Sequence, residues 1–209
     1  MLSSVLLISL AGLAFGVIHT ILAANRVKNW ARWRWGMQRV DRWYRLFFSA
    51  AGALTFGPLL LLTQFLPDRP LYRIPAPWVW VTSGLQLVAV IVFVVALLQT
   101  DVWRFIGLRQ LFRGGKPIPA DQHERLVTSG PYSRVRHPLY STMIAAMWLW
   151  PDMTVNRAIF FAVSTAYFYL GSIPEEEKLL EEFGDTYRRY QQVVPRLIPI
   201  PGRVYRYKE

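Results

Sequence analysis

Residues 126–140 place Tyr132, Arg136, His137 and Tyr140 around Gly130, Pro131 and Pro138, and the chain then turns abruptly apolar. Guanidinium, imidazole and phenol groups supply several hydrogen-bond donors, one fixed cation and one group that titrates near neutrality. Pressed against an apolar stretch, they read as a site at a membrane surface, able to grip a polar cofactor while lipid carries the substrate. A second run, residues 174–190, adds Glu175, Glu176, Glu177, Tyr187 and Tyr190, and Val194, Pro195 and Arg196 follow. Between them the two runs hold carboxylates, a cation and aromatic rings.

Those groups need elements to position them. The chain has 209 residues, 53% hydrophobic and 15% aromatic, with 18% charged, a composition rich for a soluble domain of this size. Four apolar blocks stand out, at 2–24, 46–66, 74–100 and 139–174, the last interrupted by Asp152 and Arg157. The first three carry no charge, and each reaches the roughly 20 residues that a spanning helix needs. The fourth is read as a helical hairpin with arms at 139–151 and 158–173, tilted or incompletely spanning. After Pro174, the spacing of Leu179, Leu180, Phe183, Tyr187, Tyr190 and Val194 predicts a helix with one inward face, folded back as a lid. The expected fold is an all-α integral membrane protein with five transmembrane helices and a small cytoplasmic helical cap. Residues 1–174 form the membrane domain, with cytoplasmic loops 25–45 and 101–138, and residues 175–209 form the cap that completes the site.

Charge placement sets the orientation. The net charge is +11, and the segments 25–45, 101–138 and 175–209 hold 21 of the 24 Lys and Arg residues, against Arg69, Arg73 and Arg157 elsewhere. The positive-inside rule puts the N-terminus outside and the C-terminus, with both candidate runs, in the cytoplasm, as in a bacterial inner-membrane protein. The same placement points to anionic lipid rather than nucleic acid as the partner of the basic residues. With no cysteine there is no disulfide, thiolate metal site or cysteine nucleophile, and His19, His123 and His137 show no metal-ligand spacing, so no metal is expected. The first block is expected to be a retained span rather than a cleaved signal peptide: no Lys or Arg precedes it, its apolar run is long for an h-region, and the basic segment after it opposes export.

In order and spacing, the two runs resemble the membrane-embedded S-adenosylmethionine (SAM) methyltransferases related to isoprenylcysteine carboxyl methyltransferase and the phospholipid methyltransferases, over roughly the C-terminal half. Residues 101–110 and 148–154 resemble the branch containing methanethiol S-methyltransferases and NnrU-like proteins. The resemblance implies SAM as cofactor, S-adenosylhomocysteine as product, and a lipophilic or membrane-partitioned acceptor, foremost a thiol. It implies that Tyr132, Arg136, His137, Pro138 and Tyr140 line the cofactor site with Glu176 and Glu177; the family spacing to Leu180 selects that pair over Glu175. SAM offers an ammonium, a carboxylate, a sulfonium, a ribose and an adenine. The glutamates suit the ammonium or ribose, Arg136 the carboxylate, and Tyr132, Tyr140, Tyr187 or Tyr190 the adenine or sulfonium. His137 is the candidate base for a thiol and Arg136 its electrostatic support. Asp101, Arg109 and Gln110 fall beside the acceptor. The wider family also implies carboxyl O-methylation of prenylcysteine or N-methylation of a phospholipid amine. From other classes, an NADPH-dependent membrane reductase and a non-catalytic membrane component remain open.

Each residue also has a plainer explanation. Acids after Pro174 suit the first turn of a helix, where the macrodipole favours them. Arg136 is an interfacial arginine and Pro138 a first-turn proline; Arg109 can snorkel and Asp101 can cap a helix. His19 fits an interhelical hydrogen bond, and His123 a solvated loop. The 25–45 segment, seven basic residues and one acid with Trp30, Trp33, Trp35, Trp43 and Tyr44, reads as an interfacial anchor, or more sharply as an electropositive mouth for an anionic substrate. Gly52 suggests close helix approach, Gly57 and Pro58 a kink, 67–70 an outer turn, and 114–117 a turn rather than a phosphate loop.

Overall fold

The computed structural model describes residues 2–114 and 126–205. Its elements run α1 (Leu2–Ala23), α2 (Asn25–Trp35), α3 (Met37–Phe65), β1 (Pro70–Arg73), α4 (Trp78–Leu98), α5 (Val102–Ile106), α6 (Leu108–Phe112), a 3-10 turn (Gly130–Ser133), α7 (Pro138–Trp148), β2 (Asp152–Thr154), α8 (Val155–Phe183) and α9 (Asp185–Val193). They divide into two compact units, Met1–Asp68 with Asp101–Glu124, and Arg69–Thr100 with Arg125–Glu209. His123 and residues 115–117 lie outside the described residues.

In the first unit α1 packs on α3. Ser4 Oγ donates to the Pro67 carbonyl at 2.9 Å, and Tyr44 Oη to the Leu22 carbonyl at 2.7 Å. At Gly52 the space toward α1 is tight: a Cβ there would lie 3.0 Å from His19 Cε1. His19 itself sits among Phe15 and Phe48. Residues 25–45, expected as a loop, are helical: α2 and the start of α3 are separated only by Gly36 at φ 87°. Arg, Lys, Trp and Ala all tolerate a helix, and a salt bridge from Arg32 to Asp41 (2.6 Å) ties the two together. Residues 102–112, expected as polar loop, fold as α5 and α6 around Gly107, and Asp101 caps α5 by accepting from the Arg104 N–H at 3.0 Å.

In the second unit α4 packs along α7, and Gln86 Nε2 donates to the Ala146 carbonyl at 2.8 Å. Helices α7 and α8 form the expected hairpin and run antiparallel: Trp148 Nε1 donates to Thr165 Oγ1 at 3.0 Å near the bend, while Tyr140 stacks on Phe168 further along. The two connections 70–73 and 152–154, for which the sequence predicted no strand, pair as a two-stranded antiparallel sheet, with Pro70 opposite Thr154 and Arg73 opposite Asp152.

The fold is mostly helical, and α1, α3 and α4 are long and apolar enough to cross a membrane. Their outer faces carry Leu6, Leu10, Leu54, Leu61, Leu87 and Ile91 into the surroundings, a surface suited to lipid rather than water. Helix α7, with 11 residues, is about 16 Å long against a hydrocarbon core of about 30 Å. A further expectation changes at Pro174. The helix does not begin there: α8 runs 29 residues through it and stops at Gly184, whose φ of 54° turns the chain into α9. Proline removes one donor and crowds the preceding turn, but buried contacts of Glu176 two residues later hold the helix together. The residues of the expected inward face do gather: Tyr187, Tyr190 and Val194 are buried with Leu179, Leu180 and Phe183 against them, joined by Leu126 and Tyr205.

Candidate functional site

The second unit assembles the site from three stretches: the 3-10 turn and the start of α7, the later turns of α8, and α9 with the segment after it. Pro138 opens α7 as its first-turn proline, which leaves Arg136 and His137 outside the helix, just before its first turn. Their backbone N–H groups donate to the carbonyls of Pro195 (2.9 Å) and Arg196 (3.1 Å), and Ser141 Oγ donates to that of Leu197 at 2.6 Å. The segment after α9 is thereby laid along the start of α7.

Glu176 is the centre of the arrangement, 4% exposed, and its two oxygens collect five donors. Arg136 binds it with both arms of its fork, Nε to Oε1 at 2.7 Å and Nη2 to Oε2 at 3.1 Å. Gln191 Nε2 and Arg196 Nη2 each reach Oε2 at 3.0 Å, and His137 Nε2 stands 3.2 Å from Oε1. Arg136 Nη1 also donates to the carbonyls of Gln191, at 3.2 Å, and Val194. Burial alone opposes ionisation of Glu176. The hydrogen bonds from His137, Arg136 and Arg196 outweigh it and hold the carboxyl well below the usual carboxylate range.

An ionised carboxylate only accepts, so His137 must carry its proton on Nε2. Its other nitrogen, Nδ1, faces Glu175, whose Oε2 is 3.7 Å away. Glu175 is half-exposed and accepts a hydrogen bond of 2.8 Å from Tyr140 Oη. His137, Tyr140 and Phe168 form a stack of three rings, with centroids 5.5 and 5.1 Å apart and nearly parallel planes. Tyr190 Oη donates to the Tyr132 carbonyl at 2.5 Å, which ties α9 to the 3-10 turn. Burial, with help from Glu175, pushes the Tyr132 phenol up to about 12. Burial likewise raises the phenols of Tyr187 and Tyr190, so all three are neutral donors at physiological pH.

Tyr132, Arg136, His137, Pro138, Tyr140, Glu176, Tyr187 and Tyr190 therefore share one neighbourhood. Glu177 stands exposed on α8 outside it, whereas Glu175, set aside by the sequence spacing, is in it. The glutamates lie some 20 residues into α8, so the first-turn macrodipole does not account for them. Two members had no assignment from sequence: Gln191, which looked like any surface residue of a lid helix, and Arg196, inside the Val194–Pro195–Arg196 run but given no role. Asp101, Arg109 and Gln110 belong to the first unit. There Arg109 pairs with Asp101, and Gln110 Nε2 donates to the Arg104 carbonyl at 3.1 Å. The Asp101 carboxyl is partly buried, but the Arg104 N–H and the Arg109 guanidinium hold it below its ordinary value. Asp101 and Arg109 line one open cleft with Trp103, Leu108, Phe112 and Arg113.

Comparison with known proteins places this arrangement. The model of the isoprenylcysteine carboxyl methyltransferase family matches residues 88–182, which include both the Arg136–Tyr140 run and Glu175–Glu177. Methanethiol S-methyltransferase 1 of Bradyrhizobium diazoefficiens is 31% identical over 88% of this chain and 63% of its own length. The methanethiol S-methyltransferase of Pseudomonas deceptionensis is 31% identical over 95% of this chain and 72% of its own. Protein-S-isoprenylcysteine O-methyltransferase B of Arabidopsis thaliana is 39% identical over a shorter stretch, 39% of this chain and 43% of that protein. No solved structure matches the chain. The chain belongs to the isoprenylcysteine carboxyl methyltransferase family, and its likeness to the methanethiol S-methyltransferases runs along nearly its whole length.

Proposed function

We propose that the chain is a membrane methyltransferase that moves the methyl group of SAM to a small lipophilic thiol. The observation that carries this is the near-full-length likeness to methanethiol S-methyltransferases, in a chain whose Arg136, His137, Tyr140 and glutamates gather at one place. The likeness to isoprenylcysteine O-methyltransferases covers 39% of the chain in one relative and 52% in another, against 88–95% for the methanethiol S-methyltransferases, so a carboxyl acceptor is the weaker reading.

The residues present suit SAM. Glu175 lies outside the Glu176 hub with part of its carboxylate open, beside the ring faces of His137 and Tyr140. An ammonium and a sulfonium favour that combination. Bound SAM supplies an electrophilic methyl group on a positively charged sulfur. Glu175 then receives the ammonium, and Tyr140 steadies Glu175 through its hydroxyl. Glu176 binds no ligand in this reading; it neutralises Arg136 and Arg196 and fixes the His137 ring. With Nε2 committed to Glu176, His137 would take the thiol proton on Nδ1, leaving a thiolate to accept that methyl group. Tyr132, Pro138, Tyr187 and Tyr190 wall the site from water. Glu177 is left to its rim, and Asp101, Arg109 and Gln110 are kept as the acceptor-facing group.

For the architecture, we add the α7–α8 hairpin to the three long apolar helices to give five crossings, with the site cytoplasmic, the N-terminus outside and the chain in a bacterial inner membrane. The pairing of β1 with β2 supports that count, because both segments are ones the charge distribution assigns to the outer side. The cap, expected at 175–209, is kept for the residues after Gly184, because 175–183 continue α8.

The experiment is calorimetry on the purified chain with SAM, S-adenosylhomocysteine and NADPH, followed by transfer of labelled methyl from SAM to methanethiol, a prenylcysteine and a phospholipid amine. Binding of SAM and its product but not NADPH, with label appearing on the thiol, is the expected result. NADPH binding without SAM binding would replace this function by reduction.

A further inference from the structure

The first unit carries a surface to which the proposed methyl transfer assigns no role. Helix α2 turns one side to α3: Ala31 is buried, and Lys28 and Arg32 both reach Asp41, at 3.7 and 2.6 Å. Asp41 is the sole acid of residues 25–45, so its capacity is spent on that inner side. The opposite side holds Arg26, Trp30 and Trp33, which the helical repeat of 3.6 residues brings nearly into line, with Arg34 next to them. Trp30, Trp33 and Trp35 are 54, 80 and 50% exposed. Arg26, Arg34 and Arg39 are exposed, and none makes an ion pair with a described residue. The helix is held at both ends by α1 and α3, two of the helices fit to cross a membrane. On the reading that α1 and α3 cross the membrane, its outer face falls at headgroup level.

Tryptophan suits that depth in any bilayer, but three guanidinium groups with no carboxylate partner among the described residues do not suit a zwitterionic one. We propose that the outer face of α2 with the first turn of α3 binds anionic phospholipid, the arginines taking the phosphate and the tryptophans lying against glycerol and upper acyl chain. Arg26, Arg34 and Arg39 select the headgroup charge; Trp30 and Trp33 set the depth.

The test uses the full chain in uncharged detergent micelles, titrated with phosphatidylglycerol or phosphatidylcholine of the same short acyl length, with tryptophan fluorescence and melting temperature as readouts. Phosphatidylglycerol should bind on the order of tenfold more tightly, and raised salt should remove that preference. Arg26→Gln, Arg34→Gln and Arg39→Gln combined should abolish it, while the corresponding three-lysine variant retains it. Equal response to the two lipids, a preference that survives salt, or loss of preference in the lysine variant would overturn the proposal. Should the glutamine variant not fold, the salt series on the wild-type chain and the lysine variant still decide. No readout involves SAM, so failure here leaves the methyltransferase reading untouched, and the reverse.

Discussion

His137 Nε2 and Glu176 Oε1 stand 3.2 Å apart in a buried setting, and the same carboxylate holds Arg136 and Arg196. One glutamate therefore decides which nitrogen of His137 is basic and also neutralises two guanidinium groups. Removing its charge leaves those groups without a counter-ion, and breaking a buried pair on one side costs about 3–5 kcal/mol. Glu176→Gln should accordingly melt far lower than wild type. Glu175→Gln should melt normally yet bind SAM on the order of tenfold more weakly, because it removes only a charged hydrogen-bond acceptor. Calorimetry and melting curves on the two variants separate the roles; a Glu176→Gln chain as stable as wild type would sink the hub.

Acid should expose the same residue. The Glu176 carboxyl sits below its ordinary value of 4.5 in the folded chain, so the folded state binds fewer protons there than the unfolded state does. Its stabilising contribution is complete above 4.5 and drains away as the pH falls from there toward the folded value. Melting temperature followed downward from neutral pH should drop through that window in wild type, and the drop should be smaller in Glu176→Gln. Parallel curves for the two proteins would assign the acid sensitivity to other carboxylates.

The gathering of Arg136, His137, Tyr140 and a glutamate was legible in the sequence through its resemblance to a family in which these runs line one site. Which glutamate was not. Spacing to Leu180 favoured Glu176 and Glu177, but on a helix of 3.6 residues per turn the sides of α8 that meet α7 and α9 belong to Glu175 and Glu176. That rotation is set by tertiary packing, through Tyr140 on one side and Arg136 with Arg196 on the other. The three long apolar helices could be read from composition, whereas the passage of α8 through Pro174 could not, since local propensity puts a boundary there. The β1–β2 pair was hidden for a similar reason: four and three residues carry no periodicity to read.

Gly107 isolates a packing requirement in the first unit. It sits at φ 96° between α5 and α6, and a Cβ there would lie 2.5 Å from Leu46 N and 2.8 Å from the Arg45 carbonyl carbon, both backbone atoms of α3. Gly36 has a similar φ of 87° but open space around its Cβ position. Gly36→Ala should therefore cost only conformational strain, about 1–3 kcal/mol, and Gly107→Ala distinctly more, because backbone must move. Melting temperatures of the two variants in the same detergent give the comparison. Equal losses would mean that the α5–α6 turn yields freely against α3.

Asp101 and Arg109 pose the acceptor question in a form that mutation can answer. Asp101 both caps α5 and pairs with Arg109, and asparagine keeps the first role while losing the second. Asp101→Ala should lower stability by about 1 kcal/mol, the usual worth of a helix cap, and Asp101→Asn should restore most of it. If the pair faces the acceptor, Asp101→Asn and Arg109→Ala should both raise the acceptor KM several-fold while SAM binds as in wild type. If Asp101→Asn behaves as wild type in every respect and only Asp101→Ala melts early, the pair is a helix cap with a surface partner, and the acceptor is held elsewhere.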